Sequence, residues 1–252
     1  MFNGIGLIAF SCISCAAVAG MLVGRRLPET SRSDATQRVV QLVMNIVAVM
    51  TALVLGLLIA STKTNFDATS NQVEQFATNL SLLNRELGQL GVDADPLRDL
   101  LRAFTTRKIG LMWPTQRGVK PSLHDDETDQ MLDELEGRLH SFSFEGEGRR
   151  DSRATALRIL GELQRTNRLL AVQESVRTPL PFLDVVIFWL CILYFSYATF
   201  APVNRAVLGA MILSALSVSI ALNVILDMDR PLVGIIKISP DSMRQALEGM
   251  KP

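Results

Sequence analysis

VVQLVMNIVAVMTALVLGLLIAS, residues 39–61, contains no Asp, Glu, Lys, Arg or His. As a helix rising 1.5 Å per residue it reaches about 35 Å, enough to cross the roughly 30 Å hydrocarbon core of a bilayer. Inside lipid the backbone must satisfy its own hydrogen bonds, so an uncharged run of this length reads as a transmembrane helix. Working outward, residues 4–23 and 206–226 are equally uncharged, and residues 181–200 carry only Asp184 near the entrance. The chain is therefore expected to be all-α and polytopic. Transmembrane helices are expected at about 4–23, 39–61, 181–200 and 206–226. A soluble helical bundle over 62–180 is inserted between the second and third, and an interfacial tail with a short terminal helix covers 227–252.

Whole-chain composition conceals this division, because 25 Lys and Arg balance 25 Asp and Glu. Cys12, Cys15 and Cys191 all lie in apolar runs, where a thiol acts as a small hydrophobe; the Cys12–Cys15 spacing lacks the soluble βαβ setting of a redox motif. The first run has no basic residue before Gly4, and Arg25 and Arg26 follow it. Both features favour a retained helix over a cleaved signal. The connection 24–38 holds Arg25, Arg26, Arg32 and Arg38 against Glu29 and Asp34. By the positive-inside rule it is cytoplasmic, which puts the polar domain on the outer face. Arg230, Lys237, Arg244 and Lys251 would then also lie outside, offset by Asp227, Asp229, Asp241 and Glu248.

Within the polar region, Phe66, Thr69, Val73, Phe76, Leu80, Leu83, Leu87 and Leu90 recur at spacings of three and four, a heptad seam that Gly91 closes. Asp95-Pro96 opens the next helix, with Leu97, Leu100, Leu101, Phe104 and Leu111 inward, and Trp113-Pro114 ends it. Met131, Leu132, Leu135, Leu139 and Phe142 mark a third helix. Residues 145–150 read as a Gly and charge linker, and Asp151 starts a fourth helix with Leu157, Leu160, Leu163, Asn167 and Leu170 inward.

Gln41, Asn45, Ala48, Ala52, Gly56 and Ala60 fall on one small, partly polar face of the second membrane helix. Small residues allow close helix packing, whereas polar groups at membrane depth face a partner or a water-filled lumen rather than lipid. Packing and pore lining are both open for this face, with Arg38 and Lys63 as mouth charges. Ala16, Gly20 and Gly24 on the first helix, and Ala210, Ser214, Ser217 and Ala221 on the fourth, form similar stripes. The third helix gathers Phe182, Phe188, Trp189, Tyr194, Phe195, Tyr197 and Phe200, and its Trp189 and Tyr194 need polar partners. His124 and His140 lack further ligands at metal spacing, and Asp125, Asp126, Glu127 and Asp129 are accounted for as a helix start. No nucleophile and base are paired, and no cofactor fingerprint or nucleic-acid patch is present. Enzyme activity, a bound metal and a cofactor are not expected. An uncharged membrane interior also disfavours a proton-coupled pump.

The tail adds Asp227, Asp229, Arg230, Pro231, Gly234, Ser239 and Arg244. Asp227 and Arg230 stand one helical turn apart and can pair, Pro231 stops the helix, Ser239-Pro240 starts a terminal one, and Ile235, Ile236 and Ile238 are expected along the membrane surface. This tail, Arg25-Arg26-Leu27-Pro28-Glu29, the run from Leu53 to Lys63, Trp113-Pro114, and Pro181-Phe182 through Phe188-Trp189 to Phe200-Ala201-Pro202-Val203-Asn204 resemble the bacterial bestrophin-like domain family over nearly the whole chain. The resemblance implies a multi-pass protein of the bacterial inner membrane. Through true bestrophins, which are pentameric anion channels, it implies an oligomeric passive pore for small anions. Bestrophin pores carry aromatic residues on the second helix, and 39–61 has none; their intervening domain is cytoplasmic, against the charge asymmetry here. A homo-oligomer in the lipid bilayer is expected on either reading. The alternative function is a non-conducting envelope scaffold or sensor whose helical domain binds a partner or ligand.

Overall fold

The computed structural model describes residues 4–28, 33–115, 119–141, 146–175, 180–202 and 204–250. Its helices are α1 (Gly4–Arg26), α2 (Asp34–Gln89), α3 (Asp95–Met112), α4 (Asp126–Ser141), α5 (Glu147–Ser175), α6 (Leu180–Phe200), α7 (Arg205–Met228) and α8 (Asp241–Glu248), with a 3-10 turn at Val92–Ala94. Among the described residues there is no strand. Four helices, α1, α2, α6 and α7, are long and apolar enough to cross a membrane. Arg32, Phe142, Glu145 and Val203 lie outside the described residues.

The chain divides into two compact units, each assembled from separate chain segments: Met1–Asn65 with Thr178–Asp229, and Phe66–Arg177 with Arg230–Pro252. The second membrane helix and the heptad seam were read as separate elements, but they are one helix, α2. No proline or glycine falls between Leu57 and Gly88 to interrupt it.

In the first unit α1 packs on α6 and α7. Gly20 and Gly24 make the α1–α6 contact close: a Cβ at either would stand 2.2 Å from a backbone oxygen of α6, that of Phe195 and of Thr199 respectively. The small stripe of α1 is thus consumed inside the chain, the kind of approach that draws small residues to membrane helix interfaces. Against α7, the Ser219 hydroxyl donates to the Gly6 carbonyl. The stripe expected on α7 is different: Ala210, Ser214 and Ser217 are exposed, and α7 instead buries Ala215, Ser219, Leu222, Asn223, Ile225, Leu226 and Asp227. That side is the one turned to α1, where Ser219 meets the Gly6 carbonyl and Asn223 stands 3.1 Å from where a Cβ on Gly6 would lie.

The second unit is a helical bundle. Val73, Phe76, Leu80, Leu83 and Leu87 of α2, with Leu90 just past its end, are buried against Leu97, Leu101 and Phe104 of α3, Leu132, Leu135 and Leu139 of α4, and Ala156, Leu160, Leu163 and Leu170 of α5. Gly91 adopts φ 89°, a left-handed conformation that ends α2 without a Cβ penalty. Two expectations shift. Met112, not Leu111, is the buried residue of the last α3 turn. α5 starts at Glu147 rather than Asp151, because Glu147, Arg149 and Arg150 form a solvated first turn after Gly146, at φ 100°.

The tail also departs from expectation. α7 ends at Met228, since the residue before Pro231 is pushed out of the helical region, so Arg230 lies beyond the last turn. Ile238 is buried in the bundle core with Met243, Ala246 and Met250 rather than lying along a membrane surface. The Trp113 indole donates to the Ile238 carbonyl at 2.9 Å, and the Asn84 amide to the Gly249 carbonyl at 3.1 Å. Met243, Ala246 and Met250 share one face of the terminal segment, and burying each large apolar side chain is worth about 1.5–3 kcal/mol. The tail is a core element.

Candidate functional site

The membrane half of α2 is the least covered helix of its unit. Only Thr51, Leu58 and Thr62 are buried by the chain, and the Thr51 hydroxyl turns back to the Val47 carbonyl at 2.7 Å. On the side facing away, Leu42 is 67%, Val49 69%, Leu53 73% and Leu57 70% exposed. The small face lies on the flank of this bare side: Gln41, Asn45, Ala52, Gly56 and Ala60 are exposed and Ala48 half-buried. A Cβ built on Gly56 meets nothing within 4 Å, unlike Gly20 and Gly24. The small residues of α1 are spent within one chain, and those of α2 remain available for something outside it.

Asn45 is not a free lining group. Its Oδ1 accepts from the Tyr197 hydroxyl at 2.9 Å, which ties α2 to α6. Tyr194, the partner-seeking aromatic of α6, donates to the Ser214 hydroxyl of α7 at 2.8 Å. Each tyrosine is therefore a polar tie between membrane helices, where model hydrogen bonds are worth about 0.6–2 kcal/mol. Arg38 and Lys63, the residues flanking the uncharged run, are both exposed.

The tail motif splits. Asp227, buried, and Asp229, half-buried, belong to the first unit, whereas Arg230, Pro231, Gly234, Ser239 and Arg244 belong to the second. Gly234 takes φ 110° and Ser239 donates to Asp241 at 2.6 Å, so these positions shape the turn that leads into α8.

Sequence reading missed a polar centre in the bundle. Lys108 of α3 has no exposed surface; its ammonium donates to the Leu123 carbonyl at 2.7 Å and to Asn167 Oδ1 at 2.6 Å, and lies 5.9 Å from the centre of the Phe76 ring. The Asn167 amide in turn donates to Asp129 at 2.6 Å. Beside it, Arg107 holds Asp125 at 2.7 Å and Glu127 at 2.6 Å. The hydrogen bond with Asp125 raises the already high Arg107 pKa, against a smaller lowering by burial. The available signal was positional: Leu97, Leu101, Phe104, Lys108 and Met112 follow one spacing of four, three, four and four. Among the described residues, no three His, Cys, Asp or Glu side chains gather to hold a metal.

The sequence pattern of the Bestrophin-like domain matches residues 11–243. No curated protein sequence matches the chain. Among solved structures, two variants of a bacterial bestrophin homologue from Klebsiella pneumoniae superpose with TM-scores of 0.71 and 0.72, each at 10% identity and covering 97% of both chains. A further crystal structure of a homologue from that organism gives 0.70 at 10% identity, over 97% of this chain and 96% of that one. At such identity the likeness is one of fold.

Proposed function

This chain belongs to the Bestrophin-like domain family, and from that premise we propose that copies of it assemble in the bacterial inner membrane into a passive pore for small anions. The observation that supports this reading is the bare side of α2. Leu42, Val49, Leu53 and Leu57 face away from the rest of the chain, next to a flank of small residues that admits a neighbouring helix. In a ring of copies that side surrounds the axis. Gln41 and the exposed Arg38 and Lys63 then supply polar and positive groups at the ends of an otherwise uncharged passage. Asn45 serves from behind by holding α2 on Tyr197.

Planar-bilayer recording on reconstituted protein tests this pore. Chloride current above protein-free bilayers is expected. Leu53→Ser is expected to change unit conductance severalfold, while Phe188→Ser, exposed on α6, leaves it unchanged. No current, or identical responses to the two substitutions, would sink the proposal.

We further propose that the bundle lies on the outer face, because four arginines within residues 24–38, from the end of α1 to the start of α2, resist translocation. Val92, at 82% exposed, is a suitable reporter. With Cys12, Cys15 and Cys191 replaced by serine, Val92→Cys is expected to react with an impermeant maleimide in intact spheroplasts. Reaction only after lysis overturns the orientation and leaves the pore proposal standing.

A further inference from the structure

A primary amide is ambivalent: its oxygen accepts hydrogen bonds and attracts cations, while its NH2 group donates two and attracts anions. The bond between Asn45 and Tyr197 removes that ambivalence. The Asn45 oxygen is taken by the Tyr197 hydroxyl at 2.9 Å, and the NH2 group makes no hydrogen bond among the described residues. Turning the amide over would let its NH2 donate to the phenol oxygen, but it would leave the phenol proton without a protein acceptor at membrane depth, where unpaired polar groups are costly. The tyrosine therefore holds the amide one way round, acceptor inward on α6 and donors left over.

The surroundings of Asn45 on α2 are of the same sign. Arg38, Asn45 and Ala52 follow one another in steps of seven, so they form one line along the helix, and all three are exposed. At 3.6 residues per turn this line stands about 60° around from Leu42 on the bare side, and Asn45 lies about 10 Å along it from Arg38. Between Asp34 and Asp67 the helix carries no carboxylate; its charges there are Arg38 and Lys63. The Thr51 hydroxyl is turned back to the Val47 carbonyl and offers nothing outward. Which ion a narrow passage accepts depends on the donors and acceptors that line it, and here the fixed polar group of the inner stretch presents donors alone.

We propose that Asn45, oriented by Tyr197, is the residue that makes the passage choose anions: its two N–H donors bind a small anion in transit, and its committed oxygen offers nothing to a cation. This rests on the pore reading and adds to it the group that sets ion preference, with Tyr197 as a positioning residue. Reversal potentials in a potassium chloride gradient across the reconstituted bilayer measure chloride against potassium permeability. Wild type is expected to prefer chloride. Tyr197→Phe frees the Asn45 oxygen, and the preference is expected to fall about fivefold, the net worth of one hydrogen bond. Asn45→Asp keeps an acceptor for Tyr197 but replaces the donors with a carboxylate oxygen, so the tie survives while the preference is expected to reverse. Tyr194→Phe removes the comparable tie to Ser214 and is expected to leave the preference unchanged. Current with one ion preference in wild type, Tyr197→Phe and Asn45→Asp, or an equal fall in Tyr194→Phe, overturns this inference and leaves the pore standing. No current from wild type overturns both. A smaller assembly of Asn45→Asp by light scattering assigns the amide to a contact between copies, and also overturns the inference.

Discussion

Lys108→Ala is expected to destabilise the bundle by about 3–5 kcal/mol, lowering the thermal midpoint by about 10 °C. The side chain has no exposed surface, so its removal opens a cavity among Phe76, Phe104 and their neighbours. It also strips a donor from the Leu123 carbonyl and from Asn167, each left to bear a desolvation cost of about 1–3 kcal/mol. Lys108→Met keeps most of the volume but not the donors, and belongs between the two. Lys108→Met combined with Asn167→Leu removes donor and acceptor together and is expected to recover part of the loss. Far-UV circular dichroism on heating, in detergent, reads all three. An alanine variant melting within about 2 °C of wild type, a shift worth no more than about 1 kcal/mol, would show that the buried ammonium is dispensable.

The second large effect belongs to the α1–α6 contact. Gly20→Ala with Gly24→Ala puts two methyl groups 2.2 Å from backbone oxygens, and a backbone atom cannot swing aside as a side chain can. The helices must part, at a cost of about 3 kcal/mol or more by the scale of overpacked cores. Loss of the monodisperse peak on size-exclusion chromatography and a midpoint lowered by about 10 °C are expected. Gly56→Ala is the informative control. With no atom within 4 Å, the single chain tolerates it, so any consequence must appear in assembly or conductance. Wild-type melting by the double α1 variant would mean that this contact is looser than 2.2 Å implies.

Much of the architecture was legible because a bilayer imposes a coarse, length-dependent rule. Three uncharged runs and one with a single Asp184 correspond to four helices long and apolar enough to cross a membrane, and the spacing from Val73 to Leu90 to a buried seam. What escaped were features decided by contacts distant in sequence. Ile238 reads as surface-bound until Trp113, 125 positions earlier, is seen to donate to its carbonyl. Lys108 belongs to no motif and is recognisable only once Asn167 and Leu123 converge on it. On α7 the chain buries Ala215, Ser219 and Leu222 rather than Ala210, Ser214 and Ser217, because small residues occur on both sides and spacing alone does not say which one meets α1. For α2 the same kind of stripe marks a face that its own chain leaves bare. Gln41, Arg38 and Lys63 were readable as exposed polar positions, whereas the tie between Asn45 and Tyr197 required two helices to be placed together.

The tail's place in the core bears on how the protein is made. Ile238, Met243, Ala246 and Met250 follow α1 to α7 in the chain, yet they fill the same hydrophobic centre as Val73 and Leu97. A nascent chain halted before Pro231 has made α1 to α7, but its bundle core lacks Ile238, Met243, Ala246 and Met250 and leaves their apolar neighbours uncovered. Prematurely terminated copies thus display, on their soluble part, the kind of surface that chaperones and proteases recognise. Only with residues 238–250 in place is the bundle core filled.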